Sequence, residues 1–363
     1  MSYFFPLYPL CGGSDTDKKS DIFCFVRYNI NMLRVGVIRG GISNEYDVSL
    51  KSGASVLSYL KNQPEKYKVH DILIAKNGQW HLGGIPTDGE KLMAKIDVFF
   101  NATHGEFGED GTLSQLFENI KIPHTGSAPF PSFLASDKIK SKEIFKNLGI
   151  KTPNHILLPA YLSGMDGDRE EFAVKKSKEV FSKLGPPWIV KPLNGGSSLG
   201  VRVVKTLPAL VEALSEGFKE KTSLIVEELI NGREASVVVA RDFRGQKFYS
   251  FPEIEIKIPK EKNHYDFELK NNNFEIHICP SKIERSDKEK LANYAKKIHE
   301  TMHLGHYSSV DFIVTKNKGI YAIEVDALPH LHEHSLLPKA VESVGSNMKD
   351  FVNHIVGLAI NRK

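Results

Sequence analysis

Three cysteines in 363 residues, Cys11, Cys24 and Cys279, are few, odd in number and without a spacing pattern. This excludes a disulfide framework or a cysteine zinc site and fits a reducing compartment, the cytoplasm. There is no dense Lys/Arg tract. The net charge of +4 and a pI near 8.6 are mild, so no nucleic-acid partner is expected. No apolar run is long enough to span a bilayer, so no membrane partner is expected either. The first residues lack the basic start and apolar core of a secretory signal, and Pro6 and Pro9 interrupt them. No internal repeat shows. What remains is 41% hydrophobic and 25% charged, ordinary for a globular chain and long enough for two or three lobes.

Residues 319–329 (GIYAIEVDALP) alternate in strand fashion, which puts Glu324 and Asp326 on one face. Residues 309–314 read as a partner strand and Asn317-Lys318-Gly319 as the turn, so the hairpin brings Asp311 level with both. Three carboxylates in one patch repel unless cations sit between them. Hard oxygen donors of this kind suit Mg²⁺, which shares its shell with phosphate oxygens and water. The plain alternative is a solvated face on an edge hairpin.

Residues 1–31 look foreign to the rest of the chain. They read as an extension, either a weakly ordered arm or sequence ahead of a true start at Met32. Strand 33–38 runs into Gly40-Gly41 and a helix through Leu60, and strands 71–74 and 97–100 continue what opens as a doubly wound sheet. The loop 101–112, rich in glycine and acid, holds His104. A single histidine is more often structural, but the ligand edge of a parallel sheet favours a role. Ser136 or Asp137 caps a helix with Lys138 in its first turn, placed on a solvated face or toward a phosphate. Residues 162–184 read as a charged helix.

Two short strands flank residues 193–200 (LNGGSSLG), and Lys191 closes the first. Backbone N–H groups in such a loop can wrap phosphates, and Lys191 adds a point charge. The lysine precedes the glycines and no helix comes directly after them, unlike a P-loop. The alternative is a mobile hairpin tip. Residues 224–230, 235–241 and 246–251 read as strands and 286–302 as a helix, with a final helix closing the chain. Residues 259–274 are polar and aperiodic, an active-site cover or disorder, with Lys270 able to reach a phosphate on closure. His330, His332, Glu333 and His334 lack the helical register of a zinc motif and read as polar loop.

From Leu33 to the C-terminus, the motifs in their order resemble those of the D-alanine–D-alanine ligase family of the ATP-grasp fold. They begin with Gly40-Gly41-Ile42-Ser43-Asn44-Glu45 with Val48-Ser49, His104-Gly105 with Gly108-Glu109-Asp110-Gly111, Asp137-Lys138 and Ile189-Val190-Lys191-Pro192. Gly196-Ser197-Ser198 with Gly200, Tyr265-Asp266 with Lys270, Asp311 with Glu324 and Asp326, and His334-Ser335-Leu336 with Pro338 complete the series. The resemblance implies an α/β fold of three lobes. These are a Rossmann-like N-terminal lobe at 33–126, a central ATP-grasp lobe at 127–229 and a C-terminal ATP-grasp and metal lobe at 230–363.

By the same resemblance, Lys138, Lys191 and Lys270 hold the phosphates of ATP under a lid of Gly196, Ser197 and Ser198. Glu227 and Glu234 take adenine or ribose, with the backbone of Glu228 to Ile230 as hinge. Asp311, Glu324 and Asp326 hold two Mg²⁺, or Mn²⁺. Glu45, His104 and Ser197 position the first amino acid, and Ser335 and Leu336 meet the carboxylate of the second. Glu45, Ser197 and Lys270 are the implied catalytic set. The implied activity is ATP-dependent ligation of two amino acids through an acyl phosphate, as in peptidoglycan synthesis, and the family usually forms homodimers.

The chain departs from the family pattern at four positions. Ser309 stands where the family has an Arg two residues before the metal Asp, a neutral hydroxyl for a charged fork. His330 replaces a Gly and would crowd the oxyanion site of the second substrate. Asp326 replaces an Asn, adding charge while keeping an oxygen donor. Asn271 replaces a loop Tyr, leaving a hydrogen-bonded triad with Glu45 and Ser197 incomplete. ATP and metal binding are therefore expected to be retained and the second-substrate subsite rebuilt. Two readings result: an active ligase, for D-alanine or an acceptor recognised by His330 and Ser309, or a non-catalytic nucleotide-binding relative. Three lysines and three carboxylates favour the ligase, since binding alone needs fewer.

Overall fold

The computed structural model describes residues 32–361, apart from 90, 91, 93, 194, 196–199 and 258–275. The chain opens with β1 (Leu33–Gly40), α1 (Tyr46–Lys61), β2 (Tyr67–Ile74), β3 (Trp80–Leu82), β4 (Ile85–Pro86), β5 (Val98–Asn101) and α2 (Thr112–Asn119). β1 carries Val35, Val37 and Ile38 fully buried, as a central parallel strand requires. It lies between β2 and β5, parallel to both, in the sheet order β4-β3-β2-β1-β5. The second strand starts earlier than its apolar run, at Tyr67. Lys68 and His70 lie on half-exposed or exposed positions and conceal the strand in the sequence, while the ladder with β1 extends to them. Because β1 and β5 run parallel, the loops holding Glu45 and His104 leave the same sheet edge.

Helices α3 (Pro129–Ser136) and α4 (Lys138–Asn147) lead to β6 (His155–Leu158), α5 (Arg169–Lys183), β7 (Trp188–Pro192), β8 (Arg202–Val204), α6 (Leu207–Gly217) and β9 (Leu224–Glu228). The sheet order is β6-β9-β7-β8, with α5 and α6 burying Phe172, Val180, Leu210 and Leu214 against Trp188. The expected helix 162–184 is shorter. Gly164 and Gly167 take positive φ, and Asp168 accepts from the N–H groups of Glu170 and Glu171, so the helix starts at Arg169.

The third sheet comprises β10 (Arg233–Phe243), β11 (Gln246–Ser250), β12 (Ile254–Lys257), β13 (Ile276–Ile278), β14 (Tyr307–Thr315) and β15 (Gly319–Asp326), with α7 (Arg285–Thr301) packed on it. The expected closing helix is two, α8 (Leu336–Ser343) and α9 (Met348–Ile360). Gly345 breaks them at φ +70° and Asn347 caps the second. Both helices drive Leu337, Val341, Phe351 and Ile355 into one core with Val35 and Phe100 of the first sheet and Val238 and Tyr307 of the third. Among the described residues, no helix is long and apolar enough to cross a membrane.

The β14–β15 hairpin is not the regular alternation its sequence suggests. Asp311 pairs with Glu324, but Phe312 pairs with Ala322, leaving Ile323 as a bulge. Buried positions switch accordingly, from Ile320 and Ala322 below the bulge to Val325 above it. Asp311 is thus opposite Glu324 alone, and Asp326 is opposite Ser309.

The first and third sheets are also tied by a close backbone crossing. Gly126 N–H donates to His306 Nδ1 at 3.0 Å, and Gly305 N–H donates to Ser127 Oγ at 2.8 Å. A Cβ on Gly305 would overlap the Gly126 carbonyl. Gly305→Ala is therefore expected to lower the unfolding free energy by about 1–3 kcal/mol, read as a lower urea midpoint at unchanged slope.

Candidate active site

A cleft of about 920 Å³ opens between the strand edges, and part of the expected set lines it from remote parts of the chain, while His104, Lys191, Glu227, Glu228, Ile230 and Glu234 do not line it. Glu45 enters from the start of α1, Lys138 from α4, and Asp311, Glu324 and Asp326 from the bulged hairpin. His330, Ser335 and Leu336 close one end, and the departing Ser309 lies on the same wall. Gly196, Ser197, Ser198, Lys270 and Asn271 lie outside the described residues.

The acidic set has oxygen donors only. Burial pushes the Asp326 carboxyl well above the usual carboxylate range and Glu109 pushes it further, while His330 and the Leu328 N–H oppose this. A carboxylate held in this way returns to its ionised form when a divalent cation joins it. Asp311, Glu324 and Asp326 therefore fit a hard cation such as Mg²⁺.

The basic set is built around a buried anion. Glu227 on β9 is 1% exposed, with Lys142 Nζ at 2.9 Å from one carboxylate oxygen and Lys191 Nζ at 3.0 Å from the other. Burial opposes its ionisation, yet Lys191 and Lys142 outweigh that and bring it down to about 2. Of the two expected partners of adenine or ribose, Glu227 is the one whose carboxylate is held in place. Glu227 has both oxygens on ammonium groups, and Glu234 sits in the β10 ladder opposite Ile313 and Ile256. Glu228 accepts the Asn154 N–H at 2.9 Å and returns its own N–H to the Asn154 carbonyl. Leu229 N–H donates to the Pro187 carbonyl, which anchors the segment before the buried Ile230.

Lys138 is the first residue of α4, after Asp137, whose side chain accepts from the N–H groups of Ile139 and Lys140. Its ammonium donates to the carbonyls of Leu193 and Gly195, at the base of the glycine loop. Burial lowers its pKa, Glu324 resists, and Lys191 adds to the lowering. Lys138 thus lies within electrostatic reach of both Glu324 on the carboxylate hairpin and the Lys191 cluster.

Sequence reasoning missed Lys142. Among Lys138, Lys140 and Lys146 it reads as one more solvated charge, but it is fully buried. The available signal is its spacing, four residues after Lys138 and so on the same helix face. Besides Glu227, its ammonium donates to Thr152 Oγ1 at 3.1 Å and to the Ile323 carbonyl at 3.3 Å. Ile323 is the bulge residue, so one ammonium satisfies a carbonyl beside Glu324 and positions the anion that holds Lys191.

The Glu45 end of the cleft is an imidazole and carboxylate cluster. Glu45 occupies the N-cap of α1 without making a capping bond, a position where Ser, Thr, Asp or Asn is preferred. Its carboxylate faces His330 Nε2 at 3.5 Å. Burial lowers the His104 pKa to about 4, so the ring is neutral near pH 7, bonded to Ser52 Oγ at 2.8 Å and to Glu109 at 3.0 Å. Ser335 Oγ donates to the carbonyls of His330 and His332, folding the loop so that the N-terminus of α8 faces the cleft. The loop histidines do not act as one group: His330 turns inward, while His334 is exposed beside Glu333.

Two outcomes are expected for Lys142. Lys142→Met should raise the apparent KM for the nucleotide by about tenfold, equal to about 1.4 kcal/mol, while leaving the amino-acid KM unchanged. Burial lowers the Lys142 pKa to about 8, so the ammonium is lost as pH rises through that value and nucleotide KM climbs above it. Lys142→Arg, charged throughout, should remove this alkaline limb in steady-state pH profiles.

The family model for the D-ala D-ala ligase N-terminus matches residues 34–92 and 84–127, and that for the C-terminus matches 144–357. D-alanine–D-alanine ligase B of Clostridium perfringens is 31% identical over 331 residues, spanning 91% of this chain and 99% of its own. The D-alanine–D-alanine ligase of Geotalea uraniireducens is 32% identical over 329 residues, spanning 90% and 95%. Among solved structures, the D-alanine–D-alanine ligase of Bacillus anthracis complexed with ATP superposes with a TM-score of 0.71 at 26% identity, covering 91% of this chain and 98% of that one. The VanG D-Ala:D-Ser ligase of Enterococcus faecalis superposes at 0.74 with 24% identity, covering 90% and 99%. The chain has the ATP-grasp fold and belongs to the D-alanine–D-alanine ligase family.

Proposed function

We propose that the protein is an ATP-dependent ligase that joins D-alanine to a second D-amino acid through an acyl phosphate. The observation that carries this is the cleft itself. It sets Lys138, with Lys191 and Glu227 within electrostatic reach, against the carboxylates of Asp311, Glu324 and Asp326, and it has an amino-acid end at Glu45 and the α8 N-terminus.

Each residue then has a physical task. Lys138 and Lys191 offset phosphate charge, so that a substrate carboxylate can approach the γ-phosphorus of ATP. Mg²⁺ held by Asp311, Glu324 and Asp326 would neutralise further phosphate charge. Glu45 takes the ammonium of the first amino acid, while His104, neutral, orients by hydrogen bonding. The α8 N-terminus at Ser335 and Leu336 attracts the carboxylate of the second. In the first step a carboxylate oxygen bonds to phosphorus and ADP leaves. In the second the acceptor amine bonds to the acyl carbon, the amine loses a proton to become the amide, and inorganic phosphate leaves. Ser309 and His330 replace an Arg and a Gly of the family pattern, so a hydroxyl and an imidazole read the acceptor. Three lobes near 33–126, 127–229 and 230–363, a cytoplasmic location, a homodimer and a role in cell-wall peptidoglycan synthesis belong to the same reading and rest on the family.

Phosphate release from ATP on a panel of D- and L-amino acids tests this. D-alanine with Mg²⁺ should stimulate release, and Glu324→Gln should lower kcat by about 10²-fold or more. Tight ATP binding with no stimulation by any amino acid would instead support the non-catalytic relative that the neutral Ser309 permits.

A further inference from the structure

A second set of ligand-bearing side chains meets beside the carboxylate hairpin without belonging to it. His104, Glu109 and His330 offer donor atoms that all lie within 4.8 Å of one another. The first two come from the loop after β5 and the third from the loop after β15. His104 Nδ1 is 3.0 Å from Glu109 Oε1, and the His330 ring packs edge-on against the His104 ring with centroids 4.4 Å apart. His330 Nε2 is also 3.5 Å from Glu45 Oε2, so a second carboxylate stands on the His330 side of the cluster.

The arrangement has the features of a metal centre. A tetrahedral ion with bonds of about 2.0–2.2 Å requires donor atoms about 3.3–3.6 Å apart. The His330–Glu45 separation of 3.5 Å lies inside that spacing and the His104–Glu109 separation of 3.0 Å just below it, while the donors of His104, Glu109 and His330 all lie within 4.8 Å, so side-chain rotations close them onto an ion. The far nitrogen of His104 is held by Ser52 Oγ at 2.8 Å, the outer hydrogen bond that fixes ring orientation in metal-ligating histidines. Ser52 Oγ in turn accepts the Leu331 N–H at 3.2 Å, tying this support to the chain next to His330.

Donor chemistry selects the ion. Two imidazoles with carboxylates favour Zn²⁺ and its first-row neighbours, whereas the oxygen-only set of Asp311, Glu324 and Asp326 suits Mg²⁺. The cleft thus holds two donor sets of different hardness. His330 creates the second, at a position where the family pattern has Gly and no ligand.

We propose that His104, Glu109 and His330, with Glu45 as fourth ligand, bind a divalent transition-metal ion of the zinc class, and that this ion excludes the first amino acid from Glu45. The binding stands on geometry alone. The competition rests on the ligase reading above.

Two measurements on the full chain test the two parts. In the first, metal-free protein in excess Mg²⁺ is titrated with Co²⁺. The expected result is the visible absorption band of four-coordinate Co²⁺, saturating at one equivalent and bleached by Zn²⁺. His330→Gly, or His330→Asn should the glycine variant not fold, is expected to weaken Co²⁺ binding by at least about 10–100-fold, the range for loss of a supporting group alone. No four-coordinate band in the parent protein, or an unchanged band and affinity in the folded variant, overturns the site. In the second, Zn²⁺ should raise the apparent KM for D-alanine at constant kcat, an effect weakened by the same factor in the His330 variant. A fall in kcat at constant KM overturns the competition. Absence of any amino-acid-dependent phosphate release from untreated protein would overturn the ligase reading, while the Co²⁺ result stands independently.

Discussion

A single carboxylate buried between two ammonium groups organises this molecule. Glu227 lies at 1% exposure, and an ion there alone would cost several kcal/mol of lost hydration. Lys142 and Lys191 remove that cost, one from each side and from different elements. The arrangement is worth more than its local balance. Lys191 ends up fixed at the close of β7, and Lys142 ends up able to reach the third sheet.

That reach matters because the third sheet carries the acidic half of the cleft. The bulge at Ile323 re-aims the end of β15 so that Glu324 faces Asp311 while Asp326 faces Ser309. A bulge frees a carbonyl from the ladder, and here the Lys142 ammonium satisfies it. The basic and acidic halves are therefore coupled through one buried ammonium. A shift of the β6-β9-β7-β8 sheet against the third would strand both a carbonyl and a carboxylate.

The Glu45 end of the cleft obeys a different logic. Its residues come from the edge of a parallel sheet and from the loop before α8, held together by the core that α8 and α9 share with the first and third sheets. Its close contacts are imidazole–carboxylate pairs, His104 with Glu109 and His330 with Glu45, where the basic half has buried ammonium–carboxylate pairs around Glu227. Neutral His104, Glu45 at an uncapped helix start and His330 make a cluster whose properties depend on what joins it. His330 is the residue that most separates this cleft from the family pattern.

Much of this was legible in the amino-acid sequence. The motif order named the family, and local pattern located β1, narrowed the α4 cap to Ser136 or Asp137 and located the β14–β15 hairpin, because alternation, caps and turns are properties of neighbouring residues. The same locality explains the misses. Gly164 and Gly167 shortened α5, and Gly345 split the last helix, where charge or apolar content alone suggested continuity. The Ile323 bulge was hidden because a ladder offset belongs to two strands at once. The order of residues carries the inventory of chemistry: three lysines, three carboxylates, and a histidine where the pattern has glycine. It took the folded chain to make Lys142 a buried clamp and not a surface charge, and to bring His330 to His104 and Glu109 as well as to its loop neighbour His332. Burial and convergence depend on segments far apart in the chain, and no local pattern carries that distance.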